Sequence, residues 1–332
     1  MSHPAWLTFF ERTFPSANMV LIRGERPILF DTGFGSDFAV TDALLRDAGA
    51  LPEHLSLIVN SHYHSDHVGG NYGFQTRYGL PIAAHRWDAG VINRRDREAC
   101  AAEWLDQPIE PYQVDIPLSE GDELDAGGVT LQVIHTRGHT LGHLSLYSPA
   151  DGVLIAGDVF HSDDVAWLNP FREGVGSIER ALETLERLAR LRLTWAYSGH
   201  GPAMENPITA IDAARRRYEG WINAPEKAAW HGAKRIFAYH LMLRDGMPQP
   251  EVGPYLLQCA WFQDYARHIF DCEPADFVGP FLSEMLRSGA AEWREGKLVA
   301  LTPYNARPWN WTTAPTRPRE WPAPTALHRE GK

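Results

Sequence analysis

The stretch SHYHSDHVGG at residues 61–70 places three imidazoles and a carboxylate, those of His62, His64, His67 and Asp66, within six positions. Imidazole and carboxylate are ligands suited to zinc and to other first-row divalent metals, and on an extended backbone the alternate residues His62 and His64 point the same way. Asp66 and His67 can then turn towards a second ion. Three further segments each offer a ligand beside glycine: TRGHTLGH at 136–143 with His139, AGD at 156–158 with Asp158, and SGHG at 198–201 with His200. Glycine permits tight turns and close backbone approach, which suits loops converging on one centre. The plainer alternative is a polar surface loop with incidental histidines, and the clustering counts against it. Isolated histidines such as His54, His85 and His240 are read as surface or satisfied core residues.

For such ligands to meet, rigid elements must end where the ligands stand. Short apolar runs at 18–22 and 28–30 read as antiparallel strands, 36–49 has helical spacing, and the run 55–59 reads as a buried strand leading to His62. Strand-like runs recur at 129–134, 144–147 and 153–156, the last leading to Asp158, and a strand at 194–197 leads to His200. Between them Ile178, Ala181, Leu182, Leu185, Leu188 and Ala189 form one apolar helical stripe, with Ser177 as its expected cap. Two groups of strands with intervening helices suggest packed sheets covered outside by helices, an α/β fold, although pattern alone leaves other α/β arrangements open.

After residue 223 the strand signals fade. Residues 224–286 look mostly helical, broken near 246–250 and at Pro274, and a hairpin is expected over 290–301 around Glu295 and Gly296. The expected organisation is a catalytic domain at 1–223, a helical, winged-helix-like domain at 224–303 and a tail at 304–332. That tail holds Pro308, Pro315, Pro318, Pro322 and Pro324 with Trp309, Trp311 and Trp321, too much proline for ordinary regular structure. It is expected to wrap a surface or to stay mobile.

Composition narrows the function classes. Hydrophobic residues make up 44% and charged residues 22% of 332, ordinary globular usage, and no apolar run approaches the roughly 20 residues that span a bilayer. The start of the chain shows no basic stretch followed by an apolar run, so the cytoplasm is the expected compartment. Cys100, Cys259 and Cys272 are widely spaced and form no C-x-x-C pair. A formal charge of −11 disfavours nucleic acid as a partner. The adjacent Arg215, Arg216 and Arg217 point in different directions on a helix and are read as part of a solvated face.

The ligand pattern resembles that of the metallo-β-lactamase superfamily: His62, His64, Asp66 and His67 match its H-x-H-x-D-H motif, and His139, Asp158 and His200 match its later ligands in order. The resemblance covers about residues 6–223 and implies an αββα sandwich with two divalent metal ions at one edge of the packed sheets. It assigns His62, His64 and His139 to one ion, Asp66, His67 and His200 to the other, and Asp158 to the bridge between them, with His139 rather than His143 at the family position. Zinc is the first expectation, and iron or manganese suits the same donors. Asp31 in FDTG, residues 30–33, matches a family aspartate that supports the ligands from behind; the alternative is a simple turn aspartate. One departure is Arg137, which stands where the family often has proline.

What the resemblance implies for activity is a hydrolase using a metal-bridging hydroxide, with Asp66 also orienting water or passing a proton to the leaving group. True β-lactamases generally lack the bridging aspartate, and the diiron branch commonly has glutamate where His64 stands. The remaining expectation is a thioester, lactone or related carboxylic ester of small size, hydrolysed without a serine or cysteine nucleophile. A metal-dependent nuclease or phosphodiesterase is the alternative, since the same ligands serve phosphoryl chemistry, and a winged-helix regulator is a third class. A homodimer is left open as the assembly.

Overall fold

The computed structural model describes residues 3–174, 176–306 and 318–323. The first sheet runs in chain order through β1 (Leu7–Phe10), β2 (Met19–Ile22), β3 (Ile28–Phe30), β4 (Leu57–Val59), β5 (Ile82–His85) and β6 (Ile116–Leu118). Its first three strands are antiparallel and the rest parallel. The second sheet holds β7 (Glu123–Asp125), β8 (Thr130–His135), β9 (Leu144–Ser148), β10 (Val153–Gly157), β11 (Trp195–Ser198) and β12 (Met204–Glu205), with only β10 and β11 parallel.

The period-two alternation of strand side chains divides each sheet's residues between two faces. Val20, Ile22, Ile28, Phe30, Leu57 and Val59 point inward and pack against Leu131, Val133, Leu144, Leu146 and Ile155 of the second sheet. On the first sheet's outer face, Met19, Leu21, Leu29, Ile58 and Ile82 share an apolar cluster with helices. These include α1 (Phe38–Asp47), the short α2 (Ser65–Val68), α3 (Asn71–Tyr78), α4 (Arg86–Asn93) and the single turn α5 (Ala102–Leu105). The second sheet's outer face, with Leu154, Ala156 and Ala196, is covered by Leu185 and Leu188 of α6 (Ser177–Ala189) and by Ile211, Ala214 and Tyr218 of α7 (Ile208–Asn223). The layers are therefore helix, sheet, sheet, helix. Ser177 is the first residue of α6 rather than its cap, because the chain turns one residue earlier: Gly176 takes the capping position, and no side chain closes that end.

Five helical pieces continue the first layer: α8 (Pro225–Leu243), α9 (Gln249–Gln258), α10 (Ala260–Asp264), a wide turn at Tyr265–Ile269, and α11 (Pro274–Arg287). Phe237, Trp261, Phe262, Phe277 and Phe281 join the same apolar cluster as the first sheet's outer face. The hairpin β14 (Ala291–Arg294) and β15 (Lys297–Ala300), with β13 (Met247–Pro248) added to its edge, turns at Glu295 and Gly296. Both turn residues have positive φ, the conformation a tight two-residue hairpin needs. In the tail, Pro318–Glu320 form one turn, and Trp321 is buried with its Nε1 donating to the Ile109 carbonyl at 3.0 Å. Pro308, Trp309, Trp311, Pro315 and Pro324 lie outside the described residues. Among the described residues no helix is long and apolar enough to cross a membrane.

Candidate metal centre

Strand β4 is buried between β3 and β5, so its backbone is fully paired and its end is rigidly placed. Beyond it the chain stays extended as far as His64, which has φ −68 and ψ 151, and then enters α2 with Asp66 and His67 in its first turn. That geometry brings His62 and His64 to the same side. His62 Nε2 lies 2.9 Å from His64 Nδ1, and His139 Nε2 lies 3.2 Å and 2.9 Å from those two atoms. His139 arrives on the loop between β8 and β9, Asp158 follows the end of β10, and His200 follows β11. Seven predicted ligands thus gather at one edge of the sheets, in three overlapping donor groups: His62, His64 and His139; His62, His67 and Asp158; Asp66, His67 and His200.

The donors are oriented from behind. His139 Nδ1 donates to the Trp167 carbonyl at 2.6 Å, leaving its Nε2 as a lone pair facing the cleft, and His67 Nδ1 donates to Asp31 Oδ2 at 2.7 Å, which turns its Nε2 towards the same cleft. Asp31 is buried with φ +62, a left-handed conformation that turns also use, and accepts from the Ser61 amide and hydroxyl, both at 2.8 Å. His143, which lies beside the ligand set, accepts from the Asp158 amide at 2.9 Å through Nε2 and hydrogen-bonds Thr136 Oγ1 at 2.8 Å through Nδ1. Two glycines are required. A Cβ on Gly199 would sit 2.1 Å from Asp158 Oδ1, and one on Gly157, at φ +57, would sit 2.8 Å from His143 Nε2.

The charges suit a cation. Burial, then repulsion between neighbouring imidazoles, holds His62 and His64 well below the ordinary histidine range, and burial lowers His139 as well, so all three offer lone pairs at neutral pH. Burial opposes charge at His67 too, but Asp158, Asp66 and Asp31 overcome it and favour positive charge there. Asp158 is held well below the carboxylate range: burial works against its charge, and His67 and His200 outweigh burial. His67 Nε2 and Asp158 Oδ1 are buried, 3.5 Å apart, with no hydrogen-bond partner. Buried polar atoms are rarely left so. Three converging lone pairs beside an unpartnered nitrogen and carboxylate oxygen fit divalent metal, whose bonds to nitrogen and oxygen are about 2.0–2.2 Å.

The cleft over these donors has a volume of about 100 Å³ and is walled by residues the sequence pattern did not single out. His161 is buried with its Nδ1 unpartnered, its ring centre 5.5 Å from that of His200; it lies three residues past Asp158, the only signal that could have found it. Trp167 stacks on His64 with ring centres 5.5 Å apart. From α8 come Arg235, Ile236, Tyr239 and Met242. His54 is exposed, His85 stacks on His135, and His240 is hydrogen-bonded to the Leu105 carbonyl at 2.6 Å, so none of these joins the donor groups. Arg215, Arg216 and Arg217 are all exposed, as a solvated face requires; Arg217 pairs with Asp164 from another segment, whereas Arg215 pairs with Asp212 on its own helix.

Comparison with known proteins agrees with this geometry. The chain is 29% identical over 198 residues to the acyl-coenzyme A thioesterase MBLAC2 of Bos taurus, covering 52% of this chain and 69% of that protein. It is 28% identical over 184 residues to a hydroxyacylglutathione hydrolase of Hyphomonas neptunium, covering 54% and 62%. The metallo-beta-lactamase family protein TTHA1429 from Thermus thermophilus shares the fold over 90% of this chain and 99% of its own, with a TM-score of 0.57 at 23% identity. The model of the Metallo-beta-lactamase superfamily matches residues 12–200, a span that holds all seven clustered donors, and the chain is therefore a member of that superfamily and a metal-dependent hydrolase.

Proposed function

We propose that this chain hydrolyses a small-molecule thioester at a binuclear centre, with His62, His64 and His139 holding one ion, Asp66, His67 and His200 the other, and Asp158 between them. The observation that carries the reading is the position of Asp158: its Oδ2 lies 3.8 Å from His139 Nε2 and 3.7 Å from His200 Nε2, between the two donor groups. Nitrogen and oxygen donors of this kind suit zinc. The thioester follows from the two relatives above, whose names share cleavage of an acyl–sulfur bond.

Divalent ions held by these donors would acidify a water and polarise the scissile carbonyl. The chain's own residues do the rest. Asp66, whose side chain keeps 14% of its exposure, orients the attacking water and passes a proton to the leaving thiol. Trp167 covers His64 and, through its carbonyl, fixes the His139 tautomer. Leu105, Ile236 and Met242 give the acyl group an apolar wall. Asp31 acts from behind His67, holding its ring in the ligating orientation.

The test is metal content together with turnover of a panel: acyl thioesters, acyl lactones, an aryl ester and bis-p-nitrophenyl phosphate. Two zinc ions per chain with thioester turnover support the proposal. Phosphodiester turnover without thioester turnover replaces it with the nuclease or phosphodiesterase reading. An Asp66→Ala variant that keeps full metal and full activity removes the proton-passing role.

A further inference from the structure

A second cavity, of about 390 Å³, opens on the N-terminal half of α8 and is lined by Arg217, Lys227, Lys234 and Arg287, with Glu284 as its carboxylate and Trp230 in its wall. In a chain of net charge −11 this concentration of cations is out of character. Glu284 is shared between Lys234, at 3.0 Å, and Arg287. Lys227 is exposed and forms no ion pair among the described residues.

The cavity is linked to the metal cleft by an ion-pair network rather than by a shared wall. Arg235 lines that cleft, and its guanidinium pairs with Asp164, the same carboxylate that pairs with Arg217 of the basic cavity. Arg235 at the cleft also faces Asp158 and Asp163, whereas the four cations further out, Arg217, Lys227, Lys234 and Arg287, share only Asp164 and Glu284 among the ion pairs of the described residues. One carboxylate cannot neutralise two guanidinium groups, so the path keeps a positive field that attracts anions. Lys227 precedes Arg235 by eight residues on one helix, which places it about 12 Å further from the cleft.

We infer that the leaving thiol of the substrate carries phosphate groups on a flexible arm, and that Arg217, Lys227, Lys234 and Arg287 receive those phosphates while the acyl carbon lies at the metal centre. This inference rests on the thioester reading and goes further by choosing the thiol. Guanidinium and ammonium groups converging on one cavity match phosphate oxygens, and a carrier without phosphates would leave them unused.

The metal-loaded protein is assayed with one acyl group on two thiols: coenzyme A, and N-acetylcysteamine, which has the end of the same arm without phosphates. The expected result is a kcat/KM at least about tenfold higher for the coenzyme A thioester, with the advantage shrinking as salt is added. Reversal of two exposed charges outside the metal cleft, Lys227→Glu with Arg287→Glu, raises KM for that thioester about tenfold, leaves kcat, and leaves the N-acetylcysteamine thioester unchanged. Equal kcat/KM on the two thioesters, or equal losses on both in the variant, overturns the inference, as does preferred cleavage of an oligonucleotide. If neither thioester is turned over, the thioester reading has failed, and titration with free coenzyme A still decides the cavity. Saturable binding that the double variant loses retains a phosphate site; no binding by the wild type removes it.

Discussion

Ser61, His62 and His67 at the metal centre are fully buried, and so are Trp261, Phe262 and Phe281 among the C-terminal helices, yet the two regions reach the same dryness by opposite chemistry. In the helices, aromatic rings pack on one another: Phe262 lies 5.2 Å from Phe277 and 5.4 Å from Phe281 between ring centres. Hydrophobic burial of this kind is non-directional, the ring pairs add their own preferred tilts, and both stabilise the chain without any ligand. At the metal centre, buried donors face one another and two of them have no partner. That arrangement costs stability unless a cation binds, and the apolar clusters on both sides of the sheets offset the cost. Folding strength and chemical function are thus held in different parts of one continuous body.

Removing the ions is the severest test of that separation. Chelation should abolish turnover while the far-ultraviolet circular dichroism spectrum keeps its helical signal; loss of both together would show that metal holds the fold. Asp158→Ala should come next, lowering turnover by at least about 10²-fold and reducing bound metal, measured by elemental analysis against the wild type. Asp31→Asn leaves the ligands in place but removes the charge behind His67. It should weaken metal affinity by about 10- to 100-fold in a competition titration, and unchanged affinity would return Asp31 to a turn role. Phe281→Ala should have the smallest effect on turnover per folded molecule and the largest on the fold. It is expected to lower unfolding free energy by about 3–5 kcal/mol in a urea titration, with metal content kept. A Phe281→Ala protein that folds normally but loses metal would break the comparison.

How far the site was legible follows the same division. His62, His64, Asp66 and His67 stand within six positions of one another, so ligand type and spacing declare themselves locally. His139, Asp158 and His200 each stand at or near the end of an apolar run beside glycine, and the packing at Gly157 and Gly199 shows why no larger residue fits. The N-terminus of α6 was misplaced by one residue at Ser177, because helix starts turn on local backbone angles that residue preference alone does not set.

The walls of the cleft were not legible. Trp167 comes from a loop with no periodic pattern, and Arg235 and Met242 come from a helix more than 160 residues after His64, where one face of an aromatic-rich segment reads like any other. Arg217 looked the same as its neighbours Arg215 and Arg216 until Asp164 was placed opposite it. The sequence by itself determined the candidate donor set, the alternation that builds two sheets and the helical character of the C-terminal region, since each depends on neighbours in the chain or on hydrophobic period. Only the tertiary structure decided which helix closes the cleft, which donors are left unpartnered and where positive charge accumulates, because those depend on distances between segments that the order of residues does not encode locally.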